Sequence, residues 1–333
     1  MSNLATIQIV KNVRPCPNAD SLDIVQVLGW QVVTKRGEFA EGDLAVYVVI
    51  DTVLPEVPEF EFLRNKSFRI KPIKLRGEAS AGIVFPTSIL ARFGYDEPLV
   101  EGTDVTTIIG VIHYERLLPP ELAGQRIGGL PSFLIMTDED NLRSYPRALS
   151  ELNGKPYYIT QKDDGSSATF YIKDNVFGVC SRKVDLKEND SNSFWKIAKT
   201  HDIENALRSA FPNTDIAIQG ELCGPGIQKN KIRLTQPKLS VFNLFDIRTQ
   251  SYFGYEDLTK FTSDYNLSMV KLIGAGSAFD YSLEDLLVFA NKQQYSTDNF
   301  AEGIVIRPKV PFYSNILKKA WSGKVLNENY KQD

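Results

Sequence analysis

Histidine is scarce in this chain. His113 and His201 are the only two in 333 residues, which excludes a histidine-rich zinc centre. Metal chemistry would fall to carboxylates, a ligand set that suits Mg2+ or Mn2+. The three cysteines, Cys16, Cys180 and Cys223, are odd in number, widely separated and form no Cys-x-x-Cys pair. They read as reduced, mostly buried thiols of a cytoplasmic-type compartment. No apolar run is long enough to span a bilayer, and no signal-peptide pattern opens the chain. The sequence therefore reads as soluble and intracellular, with no membrane partner and nothing that demands more than a monomer. Excess charge is lacking too. With 38 Lys and Arg against 41 Asp and Glu, the formal charge is −3. A nucleic-acid partner would have to be held by local patches and not by the net field.

What is present is an ordinary globular composition, 43% apolar and 11% aromatic, with length enough for two domains. Residues 1–112 read as short strands separated by turn residues. Strands are expected at 29–34, 44–50, 69–77 and 81–86, with a bulge or edge at Pro72. Such punctuation suggests a small β-barrel. Lys66, Arg69, Lys71, Lys74 and Arg76 concentrate positive charge there, either as a binding face or as a solvated, lysine-protected edge. Pro119-Pro120, Gly128-Gly129 and Pro131 mark residues 113–150 as a linker and entry segment. Residues 151–333 alternate strands with a few helices, so the class is α+β. A helical face runs from Ser193 to Phe211, broken near His201 and Asp202, and Ser282 opens another helix.

One stretch organises the rest. In Tyr157-Tyr158-Ile159-Thr160-Gln161-Lys162-Asp163-Asp164-Gly165, a β-prone run delivers a lysine to its end and a glycine-containing turn follows. Alone, it reads equally as a solvated hairpin turn. Four further charged groups sit at strand ends: Ser181-Arg182-Lys183, Glu221 among glycines in 219–226, Glu302 before Gly303-Ile304-Val305-Ile306-Arg307, and Lys324 near the C-terminus. Each singly is an ordinary charged strand end.

Taken in order, these segments resemble the motifs of the covalent nucleotidyltransferases, the superfamily of ATP-dependent ligases and RNA capping enzymes. Gly220-Glu221-Leu222-Cys223-Gly224-Pro225-Gly226 and Phe242-Asn243-Leu244-Phe245-Asp246 are similar to the family of the second phage T4 RNA ligase. Gly29-Trp30-Gln31-Val32-Val33, Gly42-Asp43-Leu44-Ala45-Val46-Tyr47 and Ile73-Lys74-Leu75-Arg76-Gly77 resemble the N-terminal OB domain of the Deinococcus- and Naegleria-type RNA ligases. The resemblance covers nearly the whole chain. It implies an OB-type barrel followed by an ATP-grasp-like nucleotidyltransferase domain of antiparallel sheets with flanking helices.

The resemblance also implies roles. Lys162 is the nucleophile that takes AMP from ATP, aided by Gly165. Glu302 and Asp164 hold Mg2+ or Mn2+. Arg182, Arg307 and Lys324 clamp phosphates, and Arg143 orients pyrophosphate. Phe242 stacks on adenine, Glu221 accepts from the ribose and Gln161 reads the base edge. The last motif usually carries two lysines, whereas Ser322 and Leu326 flank Lys324 here, leaving Lys318 or Lys319 to supply the second cation. Since a free lysine has a pKa of about 10.4, Lys324 and the metal are expected to lower that of Lys162. RNA is the implied partner. A DNA ligase, a capping-type guanylyltransferase and a non-catalytic RNA-binding protein are the competing readings, the last disfavoured by the presence of Lys162, Glu221 and Glu302 together.

Overall fold

Side chains on successive strand residues point to opposite faces, and the strand Leu44–Val48 uses both. Val46 and Val48 join Ile7, Phe60 and Phe85 in one apolar cluster, while Ala45 and Tyr47 join Val10, Val25 and Trp30 in another. The computed structural model describes residues 3–114 and 124–330. The chain divides into two units, Met1–Leu117 and Leu118–Asp333.

The main sheet of the first unit runs in the order Trp30–Lys35, Leu22–Val27, Ala5–Pro15, Leu44–Val48, Ile83–Pro86, with every neighbour antiparallel. Its ends approach one another: Ala81 N–H donates to the Gln31 carbonyl at 2.9 Å and Val33 N–H to Ser80 Oγ at 3.0 Å. A bulge between Val10 and Asn12 adds the bend that such curling needs. The expected single strand over 69–77 is broken at Pro72. Arg69–Ile70 pairs with Thr52–Val53, whereas Ile73–Leu75 forms a hairpin with Glu78–Ser80. Arg76 and Gly77, at φ +51° and +88°, make the turn. The basic residues are thus spread over separate segments. Arg69 pairs with Asp51 at 3.0 Å and lies over the Tyr114 ring, while the Lys74 side chain lies outside the described residues.

The second unit contains two larger antiparallel-rich sheets. One has seven strands, in the order Arg126–Gly129, Val184–Leu186, Val176–Ser181, Ser166–Lys173, Ile216–Cys223, Lys238–Asp246, Ser251–Tyr252. One of its faces buries Phe170, Ile218 and Val241 against the helices Ser193–Thr200, Ile203–Ala210 and Tyr255–Asp264. The other sheet has five strands, in the order Asp140–Asn141, Gly323–Leu326, Gly303–Pro308, Tyr157–Lys162, Leu272–Gly276. It buries Ile159, Ile304, Ile306 and Val325 against the helix Leu283–Asn291. Ser282 caps that helix by accepting from Asp285 N–H at 3.1 Å. The helical break expected near His201 falls at Asp202, whose φ is +48°.

The segment 113–150 is not a plain linker where it is described. Arg126–Gly129 and Asp140–Asn141 are edge strands, and Leu134, Leu142 and Ala148 are buried. Gly128 and Gly129 lie in an edge strand and the Pro131 carbonyl accepts from Leu134 N–H at 3.0 Å in a turn, while Pro119 and Pro120 lie outside the described residues. Among the described residues, no helix is long and apolar enough to cross a membrane.

Candidate active site

The strand Tyr157–Lys162 is an inner strand of the five-stranded sheet and Ser166–Lys173 the central strand of the seven-stranded one. The chain passes from sheet to sheet through Asp163, Asp164 and Gly165. Alternation aims Tyr157 and Ile159 at the helix-packed core, so Lys162 points the opposite way. Its Nζ lies 2.7 Å from Glu302 Oε2. Register sets this meeting, because Lys162 pairs with Gly303 on the antiparallel neighbour. At Gly303 φ is +155°, and a Cβ would lie 2.2 Å from the Val325 carbonyl oxygen. Only glycine fits there. Gly165 is needed for proximity: a Cβ would meet the Leu222 carbonyl oxygen at 2.5 Å and Cys223 Sγ at 2.6 Å. Its N–H donates to Glu221 Oε1 at 3.1 Å, tying the crossing to the strand Ile216–Cys223.

The site is rich in carboxylates. Burial alone would lower the Lys162 pKa, but Glu302, Glu221 and Asp164 outweigh it and hold the ammonium well above its ordinary range. Without a metal ion, the largest charges acting on Lys162 are acidic. Burial pushes Glu221 up to about 8, against the pull of Lys162 and with the help of Glu302, Asp163 and Asp164. Burial likewise pushes Asp163 up to about 6, despite Lys238 and Lys162. Burial is the main cause at both carboxyls and Glu302 adds to it at each, so several acidic groups crowd one lysine, a setting that fits an additional cation. Among the described residues no three His, Cys, Asp or Glu side chains form a ready-made metal cage. The donor set suits a hydrated ion held by one or two carboxylates, and Glu302 and Asp164 are the carboxylates that would hold it.

The cations expected to grip phosphate gather around Asp138. Arg182 pairs with the Asp138 carboxylate at 2.6 Å, and Lys319 Nζ donates to the Asp138 carbonyl at 2.7 Å and pairs with Asp140 at 2.9 Å. Burial raises the Asp138 pKa, yet Arg182, Lys324 and Lys319 hold it below its usual value. Lys319 therefore shares a cluster with Lys324 and Arg182. Asp138 and Asp140 face these cations and Glu139 pairs with Arg307, although in sequence the run reads only as a polar lead-in to the lysine stretch.

Other predicted residues are placed differently. Gln161 lies on the strand face opposite Lys162, is 5% exposed and donates to the Gln294 carbonyl at 3.1 Å. Arg307 is buried, pairs with Glu139 and lies 5.4 Å from the Phe242 ring centroid. It flanks the aromatic expected to stack on adenine and is not an open phosphate clamp. Phe242 is the extra residue of a bulge, since Gln219 pairs with Asn243 and Gly220 with Val241. Arg143 pairs with Glu328 at 2.9 Å.

Two tyrosines of the site carry no signal in the sequence. The Tyr295 hydroxyl donates to the Lys162 carbonyl at 3.0 Å, and accepts from Asp164 N–H at 2.8 Å and Glu302 N–H at 3.3 Å. The Tyr330 hydroxyl donates to Asp164 Oδ2 at 2.5 Å. No local pattern marks either one, because each acts through residues far away along the chain.

A lysine at the crossing between two antiparallel sheets, with carboxylates around it and a phosphate-type cation cluster alongside, defines a covalent nucleotidyltransferase. The RNA ligase family model matches residues 155–321 and an OB-fold domain model matches residues 4–87. The chain belongs to the RNA ligase family, and it is an enzyme of that class with RNA as its substrate. Its N-terminal domain is an OB-fold followed by the sheet-rich nucleotidyltransferase domain. Among solved structures it is similar to Naegleria gruberi RNA ligase with pyrophosphate, at 26% identity over 98% of this chain and 97% of that one, with a TM-score of 0.85. The same Naegleria ligase as a lysine-to-alanine mutant with ATP and Mn also matches at 26% identity, covering 97% of each chain, with a TM-score of 0.85. Its glutamate-to-alanine mutant with AMP and Mn matches at 26% over 98% of this chain and 97% of that one, with a TM-score of 0.86. No curated protein sequence matches.

Proposed function

We propose that this RNA ligase is driven by ATP, works through Lys162 and seals nicks in duplex RNA as a monomer. The observation that carries the reading is Lys162 beside Glu302, half-buried among carboxylates, with Arg182, Lys319 and Lys324 clustered in the same domain. The Naegleria complexes with ATP and Mn and with AMP and Mn support the nucleotide and the divalent ion.

In the first step the Lys162 ammonium gives up a proton, and the neutral Nζ attacks the α-phosphorus of ATP. An N–P bond forms, the bond to the pyrophosphate oxygen breaks, and lysyl-AMP remains. In the second, an oxygen of an RNA 5′-phosphate attacks that phosphorus and Lys162 is the leaving group. In the third, a 3′-hydroxyl attacks the activated 5′-phosphate, AMP departs and a phosphodiester forms. Glu302 and Asp164 would hold a divalent ion, which would supply positive charge that favours the neutral amine and offsets charge on phosphate oxygens. Glu302 meanwhile fixes the direction of the lysine, and Gly165 lets the crossing lie against Glu221. Lys319, adjoining Arg182 and Lys324, serves as the second cation of the last motif. In this reading Phe242 stacks on adenine, with Arg307 behind it.

A nick suits this architecture because the complementary strand holds the two ends together, so much of the entropic cost of alignment is met before binding. Three buried, unbonded cysteines agree with a reducing, cytoplasmic setting. The test is sealing of one labelled 5′-phosphate in a nicked all-RNA duplex, the same nick with DNA strands, and unpaired RNA ends. Efficient sealing of the RNA nick alone is the expected result. Equal sealing of unpaired ends would contradict nick specificity, and preference for all-DNA nicks would contradict the RNA assignment.

A further inference from the structure

We infer that Tyr295 is a positioning residue for lysine adenylylation, whose hydroxyl fixes the Lys162 turn against the backbone of Glu302. A tyrosine hydroxyl has one proton to donate and two lone pairs with which to accept. All three are used here: the Lys162 carbonyl at 3.0 Å, the Asp164 N–H at 2.8 Å and the Glu302 N–H at 3.3 Å. Each partner is a main-chain group of a residue whose side chain the reaction needs. The short strand carrying Tyr295, Gln294–Ser296, is separately tied to the nucleophile strand by Gln161 Nε2 on the Gln294 carbonyl at 3.1 Å. It pairs with Asn299–Phe300, which leads directly to Glu302. One oxygen atom thus joins two strand ends that come from opposite sides of the sequence, at the point where Nζ and Oε2 stand 2.7 Å apart.

The chemistry explains why such a tie matters. In-line attack tolerates little error, and about 1 Å of displacement costs on the order of a hundredfold in rate. Lys162 is the last residue of its strand and Glu302 directly precedes another, so backbone pairing holds them on one side only: Lys162 pairs with Gly303, and the Glu302 carbonyl accepts from Asn327 N–H at 2.9 Å. Without the hydroxyl, three main-chain groups lose a partner and the turn relaxes to find water or other donors. The ring of phenylalanine would still fill the space.

The test is Tyr295→Phe in the full-length protein, read by single-turnover transfer of label from α-labelled ATP with a divalent metal. The rate constant at saturating ATP should fall by at least tenfold. The apparent KM for ATP should stay within twofold, and the final labelled fraction should stay near wild type. In a Glu302→Gln background the same substitution should cost less than threefold, because its route of action is already impaired. A rate constant within twofold of wild type would overturn the inference. So would a loss confined to KM or to labelled fraction, or a full multiplicative loss in the double variant. A Tyr295→Phe protein that cannot fold would also overturn it, by making the hydroxyl a requirement of the fold. The inference rests on the ATP-driven, Lys162-centred reading. Unlabelled wild type would sink that reading, whereas labelled wild type with an equally fast variant would sink only the role of Tyr295.

Discussion

Lys162 and Glu302 form an ion pair of 2.7 Å across two antiparallel strands whose register places Lys162 opposite Gly303. The nucleophile of the proposed reaction is therefore stored as an ammonium, held by the same carboxylate that would bind the metal. A divalent ion held by Glu302 would replace the lysine as its partner and so favour the neutral amine.

This storage gives a pH signature in metal-free protein. Glu221 is pushed up to about 8 from the ordinary 4.5, so the folded protein keeps that proton longer than the unfolded chain. Folded protein binds more protons between those values, and stability falls as pH rises through the window. Asp163, raised to about 6, adds to the fall at its lower end. Urea midpoints measured from pH 5 to 8 in the presence of chelator should decline, and Glu221→Gln should flatten the decline. A midpoint that rises with pH and is unaffected by Glu221→Gln would contradict the carboxylate-crowding account.

Gly165→Ala tests the crossing. Its Cβ would meet the Leu222 carbonyl oxygen and Cys223 Sγ at 2.5 and 2.6 Å, so backbone must move. Overpacking of this kind costs about 1–3 kcal/mol. The variant should melt lower than wild type and lose most lysyl-AMP formation, because the displaced turn carries Lys162. Wild-type melting together with wild-type labelling would show that the close approach is unimportant.

Asp138 faces the same cations that phosphates would use. Neutralising it as Asp138→Asn should tighten ATP binding, read as a lower apparent KM for lysyl-AMP formation. An exposed ion pair of this type is worth about 0.2–1 kcal/mol, so the gain is about 1.4- to fivefold. A weaker KM would mean that Asp138 serves to orient Arg182.

The exposed side chains of Lys71 and Arg76 in the first unit are candidates for binding RNA phosphates. Replacing both with alanine should weaken binding to duplex RNA and reduce the log–log salt slope by about 0.9 for each phosphate left unneutralised. Lysyl-AMP formation should be unaffected. Identical binding across several salt concentrations would remove these residues from the RNA surface.

Much of the site is legible in the sequence because its motifs are local. Lys162 with Gly165, Glu221, and Glu302 with Gly303 are each a short run in which residue type and backbone demand coincide. Arg182, Lys319 and Lys324 are legible as cations, but not Asp138, whose partnership with them spans distant segments. Gln161 is misplaced by sequence alone because the strand period turns it away from its neighbour Lys162. Tyr295 lies in Gln294-Tyr295-Ser296-Thr297-Asp298-Asn299, a polar run that reads as a surface hairpin. In the first unit, the strands Ala5–Pro15 and Leu22–Val27 are not among those expected. Thr6 and Gln8 interrupt the apolar pattern of the first of these, and both are buried and bonded to each other at 2.9 Å.

The central claim is that Lys162 accepts AMP from ATP, and one measurement reaches it directly. Protein freed of any bound AMP is incubated with α-labelled ATP and Mn2+ beside a Lys162→Ala variant, denatured, and the label located by peptide mapping. The account predicts acid-labile label on the peptide carrying Lys162 in the wild type and none on the variant. Label of equal amount on the variant, or no label on either protein, would contradict it.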